Sequence, residues 1–372
     1  MEKSTVGTSR RRARTTIPNS LALAGNTLSI SGTLKPGRNG STGKLVVEKF
    51  GITIGDGHRH EPETPAPLPT GYGEIEVPDE VIANYHDAGD LVPVEGALAE
   101  QVSSFAPNTA LSLIGRQSRK TALAVFKRAQ NTLRIVQKPK EKRDKKAIQP
   151  VNTRQALALD LLLDPTIKLV TLYGKAGTGK TLMAILAALK ATGKLPMSEF
   201  RRPIPLPSET ETAKRIIVCR PICGVGGDDL GFLPGTLDEK MGPWGEAVMD
   251  ALELFYEREA IEELQRLRLL NVGPVTHMRG RSVHDAFILV DDAQNFPGRN
   301  EKVMKTLVSR GSSGTKFVFT GDPNQVDTKG LSETDNGLVH VLTQTATWEF
   351  AARLELVKGE RSVLADFAAE NL

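Results

Sequence analysis

The sequence predicts an α/β fold built on a parallel sheet with helices on both faces. Three observations point to it. From about residue 148 onward, short apolar runs alternate with helical stretches, the pattern of successive βαβ units. A glycine-rich turn, Gly174-Lys-Ala-Gly-Thr-Gly-Lys180-Thr181, joins one apolar run to an apolar helix. Two further apolar runs end in polar turns, Asp291-Asp292 and Gly321-Asp322, and the carboxyl ends of strands are where open α/β sheets gather their ligands.

The elements follow in order. Arg154-Gln-Ala-Leu-Ala-Leu-Asp-Leu-Leu-Leu163 has the spacing of an amphipathic helix, placed just before the first strand, Val170-Thr-Leu-Tyr173. Leu182–Lys190 is apolar enough for a buried helix. Strands are predicted at Ile216–Cys219, Phe287–Val290 and Phe317–Thr320, and helices within Leu237–Leu270 and over Glu301–Ser309. Gly193–Lys214 is Pro-rich and polar, as expected of a surface insertion. Upstream, residues 1–45 are rich in Ser, Thr, Gly and Arg and are predicted to be disordered or weakly ordered. Leu45–Lys49 and Phe50–Ile54 suggest short strands, and Glu61–Pro69 is a Pro-rich spacer. Pro78–His86 suggests a helix, and Thr121–Phe126 and Thr132–Val136 suggest strands. The expected division is a basic, Pro-rich segment over 1–71, a small mixed α/β module over 72–147, and the main α/β domain over 148–372.

The chemistry lies at the strand ends. Gly174, Lys175, Ala176, Gly177, Thr178, Gly179, Lys180 and Thr181 fit the pattern G-x-x-x-x-G-K-S/T, in the strand–turn–helix context that this pattern requires. Its glycines let main-chain N–H groups turn toward phosphate oxygens, and the start of the following helix adds a favourable dipole. Lys180 would reach the β- and γ-phosphates, and Thr181 would hold Mg²⁺. The run Ala286–Val290 delivers Asp291 toward the same metal ion, with Asp292 as the base for an attacking water. Gln325, in Gly321-Asp-Pro-Asn-Gln325, is placed to sense the γ-phosphate or to orient water. Alone, the last two runs would also fit an acidic turn and a Gly-Asp-Pro-Asn turn.

Bulk properties set limits. The 372 residues carry a formal charge of +4, unevenly spread. Residues 1–47 hold eight Lys/Arg and one acid, residues 51–110 eleven acids and one Arg, and residues 116–146 twelve Lys/Arg and two acids. The last block fits a polyanion partner, and part of it, Gln137–Lys146, equally fits a solvated linker. Cys219 and Cys223 are the two cysteines; with no second pair to complete a zinc site, they are expected as free thiols in a reducing cytoplasm. No apolar run approaches a membrane span, and Met1-Glu-Lys-Ser-Thr lacks the apolar core of a secretory signal, so none is expected. Gly57-His58-Arg-His60 reads as two surface histidines in a loop.

In order, Arg220-Pro221, Leu230–Lys240, His277-Met-Arg-Gly-Arg281, Val290-Asp-Asp-Ala-Gln-Asn295, Thr320-Gly-Asp-Pro-Asn-Gln325 and Val357–Ala365 resemble the PhoH-like ATPase family over roughly 148–367. The resemblance implies a single RecA-like core related to superfamily 1 helicases, ATP and Mg²⁺ as cofactors, and a role on RNA or single-stranded DNA. It implies Gln155 as the adenine-reading glutamine. The family usually carries Asp-Glu where this chain has Asp291-Asp292, and the shorter side chain would slow turnover. Longer members begin with a PIN ribonuclease domain; Gly32–Val47 resembles its tail, 72–136 resembles the connecting module that follows, and no nuclease activity is expected. With a single core, the cation for the γ-phosphoryl group is expected from a neighbouring subunit, with Arg361 first and Arg279 and Arg281 next, in a homo-oligomeric and hexameric ring. A nucleotide-regulated scaffold with little turnover is the alternative. A small-molecule kinase fits less well, because the chain shows no acceptor lid.

Overall fold

The computed structural model describes residues 21–23, 26–35, 44–53, 68–84, 89–138, 148–193, 212–221, 246, 248–278, 282–298 and 303–359. The chain divides into two compact units, Met1–Ala66 and Pro67–Leu372. In the first, β1 (Leu21–Leu23), β2 (Asn26–Lys35) and β3 (Lys44–Thr53) form an antiparallel sheet. These strands lie partly within the segment 1–45 that composition marks as disordered or weakly ordered; there Leu28 and Ile30 recur at the strand period among Ser and Thr, a pattern that favours pairing. The two short strands expected at 45–54 are one, β3, with an irregularity opposite Ser31 and Gly32 that lets a single strand bend.

The second unit holds two sheets. The smaller runs β4 (Tyr72–Val77), β6 (Ala110–Gly115), β7 (Thr121–Lys127), β8 (Thr132–Val136) and β5 (Leu91–Pro93), with α1 (Asp79–Asn84) and α2 (Gly96–Val102) packed against it. Its first pair is parallel and the others antiparallel. One face packs Leu111, Leu113, Ala124, Phe126 and Leu133 with Val77 and Val102 into a core of its own. The other face, through Ala110, Leu123, Val125 and Val136, joins the core around Leu157, Ala158 and Leu161. Both faces are therefore buried, so β6 and β7 read as apolar runs rather than clean alternations.

The larger sheet is all parallel, in the order β11 (Leu270–Pro274), β10 (Arg215–Arg220), β12 (Ala286–Val290), β13 (Lys316–Gly321), β9 (Leu169–Tyr173), β14 (Ala351–Glu355). One face carries α3 (Thr153–Leu163) and α4 (Lys180–Ala191), with α5 (Arg258–Arg266) beside them. The opposite core takes residues from α6 (Val303–Val308) and α7 (Gly337–Gln344). All five residues of β9 and of β12 are buried, as a strand covered on both faces requires.

Helix α3 also ties the two sheets together. Asn152 caps it by accepting from Gln155 N, replacing one missing intrahelical partner. At the far end, Lys316 Nζ donates to the main-chain carbonyls of Leu162 and Asp164, both at 2.6 Å. The Asp164 carboxylate accepts from Lys127 at 2.6 Å and Arg134 at 3.2 Å, and Arg134 also pairs with Asp160. Burial pushes the Asp164 carboxyl up, but hydrogen bonds from Lys127 and Thr166 outweigh it and bring the group from 3.8 to about 2. A lowered folded-state value contributes stability that is full above about 4 and is lost as pH falls through about 2. Asp164→Ala would leave Lys127 without its carboxylate and should cost about 3 kcal/mol in urea unfolding at neutral pH. That cost should shrink when the same comparison is made near pH 2.

Three cations of the basic block are thus paired: Lys127, Arg134, and Arg119, which meets Glu76 at 2.7 Å. Lys140, Lys142, Arg143, Lys145 and Lys146 lie outside the described residues.

Candidate functional site

The loop after β9 takes its shape from its glycines. Gly174 has φ +135°, and a β-carbon there would stand 2.1 Å from the Leu356 carbonyl oxygen. Gly179 has φ +87°, and a β-carbon would stand 2.9 Å from Gln155 Nε2. Both positions need a residue without a side chain. Gly179 precedes α4 without a side-chain cap, so the first N–H groups of the helix face the loop mouth, where oxyanions bind. Lys180 Nζ donates to the carbonyls of Gly174 at 2.6 Å and Lys175 at 2.8 Å. Thr178 Oγ1 donates to Lys175 O at 2.9 Å. Ala176 and Gly177 complete the turn, Gly177 with φ +80°.

The acids come from β12. Asp291, 4% exposed, accepts at Oδ1 from Thr181 Oγ1 at 2.9 Å and from Thr320 Oγ1 at 2.5 Å. Its N–H donates to Cys219 O on β10. Asp292 follows in a left-handed conformation, φ +52°, a backbone state that Asp tolerates better than most residues. Arg220, at the end of β10, reaches both acids: its Nη2 donates to Asp292 Oδ2, and its Nε lies 3.6 Å from Asp291 Oδ2. An all-oxygen donor set of one hydroxyl and one carboxylate, completed by substrate oxygens and water, suits Mg²⁺. Thr181 and Asp291 are the residues that would hold it, and when bound it would offset charge on the phosphate oxygens.

The loop carrying Gln325 is clamped from the acid side. Gln294 Nε2 donates to Gln325 O at 3.1 Å, and its Oε1 accepts from Asp322 N. Asn295 Oδ1 accepts from Asp327 N and Thr328 N. Gln325 itself is exposed. Gln155 lies 4% exposed, directly under the phosphate loop: its Oε1 accepts from Val151 N and its Nε2 donates to Thr178 O at 3.1 Å.

The structure therefore brings together Gly174 through Thr181, Asp291, Asp292 and Gln155. Arg361, Arg279, Arg281, Cys223, His58 and His60 fall outside the described residues. Sequence reading gave no role to Arg220, Gln294, Asn295 or Thr320. The available signal was position, since each stands within a few residues of a strand's carboxyl end. Cys219 is buried, and that burial pushes its thiol up to about 12, which keeps it from acting as a nucleophile.

The place of the acid strand decides the class. β12 is not a neighbour of β9; β13 stands between them, so the acid reaches the loop across an inserted strand, which is the arrangement of the RecA-like P-loop fold, and this protein has that fold. A family model described as PhoH-like protein matches residues 147–363. The chain belongs to that family.

Relatives include Protein PhoH2 of Bacillus subtilis (strain 168), 40% identical over 230 residues, which are 60% of this chain and 48% of that protein. Protein PhoH2 of Mycolicibacterium smegmatis is 36% identical over 242 residues, 65% of this chain and 51% of the relative. The chain spans about half the length of these curated relatives. Among solved structures, the Pif1 helicase from Candida albicans aligns with a TM-score of 0.28 at 12% identity, covering 57% of this chain and 40% of that one. Unliganded Pif1 from Bacteroides sp gives 0.27 at 16%, covering 60% and 45%. At these scores they add nothing to what the strand order establishes. Among the described residues no helix is long and apolar enough to cross a membrane.

Proposed function

We propose that the protein is a cytoplasmic, Mg²⁺-dependent ATPase that couples turnover to RNA or single-stranded DNA and works as a hexameric ring. The observation that carries the ATPase reading is the hydrogen bond from Thr181 to Asp291, which joins the phosphate loop to the acid strand at the point where a metal–phosphate group would sit. Lys180 receives the β- and γ-phosphates, Asp292 takes the proton of the attacking water, and Gln325 senses the γ-phosphate or orients that water. Phosphate release from purified protein, measured with and without RNA, tests the coupling. Stimulation supports it, and equal rates count against it.

One observation favours a second reading, a nucleotide-regulated scaffold. Arg220 is paired with Asp292, and a carboxylate engaged by a guanidinium is a poor base until that pair opens. Asp292→Asn separates the two readings. In an ATPase the variant should still bind ATP while turnover falls about 100-fold or more. In a scaffold both properties should stay as in the parent protein. Asp292→Glu should raise turnover if the shorter side chain limits the base.

The nucleic-acid reading rests on charge. Binding should weaken steeply with salt as counterions are released. Neutralising Lys138, Lys140, Lys142, Arg143, Lys145 and Lys146 together should flatten the log–log salt slope by up to about 4, with similar loss across sequences. Absence of binding to RNA and to single-stranded DNA at low salt would leave the scaffold reading in place.

A further inference from the structure

A groove of about 440 Å³ runs along β10 and β11, lined by Arg215, Ile217, Cys219, Arg268, Asn271 and Ser282 among others. It lies on the face of the larger sheet whose core takes residues from α6 and α7. Its openness follows from the sequence. Cys219 is buried in that core, but Ile217 is only part-buried against it. Opposite these two on β11 stand Gly273 and Asn271, one without a side chain and one polar, so the apolar surface does not continue to the sheet edge. We infer that this groove binds the sugar-phosphate backbone of a single-stranded nucleic acid. The inference rests on the nucleic-acid reading above and gives that reading a site.

Charge carries it. Arg215 opens β10, and Arg268 stands two residues before β11. Among the described residues neither meets a carboxylate. Arg215 Nη2 donates to the His284 carbonyl at 3.3 Å, and Arg268 is held in a left-handed conformation, φ +58°. Asp285, next to His284, is taken by Lys214 at 3.1 Å. Lys127, Arg134 and Arg119, by contrast, each face an acid. Among the described residues that line the groove there is no Asp or Glu. Guanidinium groups left without a carboxylate are good partners for phosphate, and the Asn271 amide and Ser282 hydroxyl can donate to phosphate or sugar oxygens. A recess sunk into a sheet face holds one strand along its cations; a duplex would rest on its rim.

The groove also leads to the chemistry. β10 has six residues and is about 17 Å long. Arg215 lines the groove at one end of it. At the other end Cys219 lines the groove, and its carbonyl accepts from Asp291 N. The next residue, Arg220, holds Asp292. A strand bound along β10 therefore ends one residue from the pair that has to open before Asp292 can act as a base.

The test follows the fluorescence anisotropy of labelled oligo(U) and oligo(dT) with the full chain over a range of salt. Arg215→Ala and Arg268→Ala together should weaken both strands about tenfold at low salt. The log–log salt slope should become shallower by about 1.4, which is about 0.7 for each of two phosphates no longer held. Arg215→Lys with Arg268→Lys keeps the charge and should keep the slope. Asn271→Asp places a carboxylate in the groove at an exposed position of the edge strand and should weaken both strands as well. ATP affinity measured without nucleic acid should stay at the parent value, which reports that each variant is folded. Unchanged affinity and slope in the double alanine variant, a loss confined to one of the two strands, or a parent protein that prefers a hairpin duplex would overturn the groove. The parent protein tells the two failures apart. If it binds the labelled strands and the double variant binds them equally well, only the groove falls. If it binds neither strand at low salt, the nucleic-acid reading falls and the groove with it.

Discussion

Lys180→Ala should lose ATP affinity by about 100-fold and lose measurable hydrolysis, while the thermal unfolding transition stays close to that of the parent protein. The expected size follows from removing charge-assisted hydrogen bonds to phosphate, worth about 3 kcal/mol. The fold should survive because Lys180 stands at the loop mouth, where its own bonds are to the Gly174 and Lys175 carbonyls. The residues of α4 that fill the core, Met183 through Leu189, are untouched. Circular dichroism together with phosphate release checks both halves. Hydrolysis at the parent rate would mean that this loop does not bind the triphosphate.

The second large effect belongs to Arg361. Under the proposed ring, Arg361→Ala should bind ATP normally and hydrolyse it about 1,000-fold more slowly, since an arginine finger acts on the transition state. Arg361 follows Leu356 by five positions. A chain extends by at most roughly 3.6 Å per residue, so the connection permits service to its own loop as well as to a neighbour's. Mixing Arg361→Ala with Lys180→Ala subunits decides between them. In a ring with the arginine supplied across the interface, some interfaces pair an intact Lys180 with an intact Arg361, and activity should return. Subunits acting alone gain nothing from mixing, and a fully active monomer by mass would remove the ring.

Much of this site is legible in the chain because its parts are local. Gly174–Thr181 is a contiguous pattern, and Asp291 and Asp292 end a run whose five apolar residues announce a buried strand. The strands at Ile216, Phe287 and Phe317 were legible for the same reason. β11, Leu-Asn-Val-Gly-Pro, was not, since its Gly and Pro look like a turn and it lies at the sheet edge, paired only through β10. β14, Ala-Ala-Arg-Leu-Glu, has the composition of a helix, and only its pairing with β9 makes it a strand. Arg220 was hidden in another way: its partners stand about seventy residues further along the chain, and contacts at that separation leave no periodic trace. The same holds for Lys127 and Arg134, which looked like free basic charge until Asp160 and Asp164 were placed opposite them.

The helix that carries Gln155 at one end and Asp160 and Asp164 at the other has a mechanical consequence. Its 11 residues span roughly 16 Å, and both ends are fastened, to the phosphate loop through Thr178 and to the β7–β8 hairpin through Lys127 and Arg134. A strut fixed at both ends passes axial displacement along its length instead of absorbing it. A load on the hairpin would therefore arrive under Thr178, and closure of the loop on a triphosphate would pull on the hairpin. Because such coupling is reciprocal in free energy, a partner whose grip on the hairpin changed nucleotide affinity would see its own affinity changed by nucleotide to the same factor.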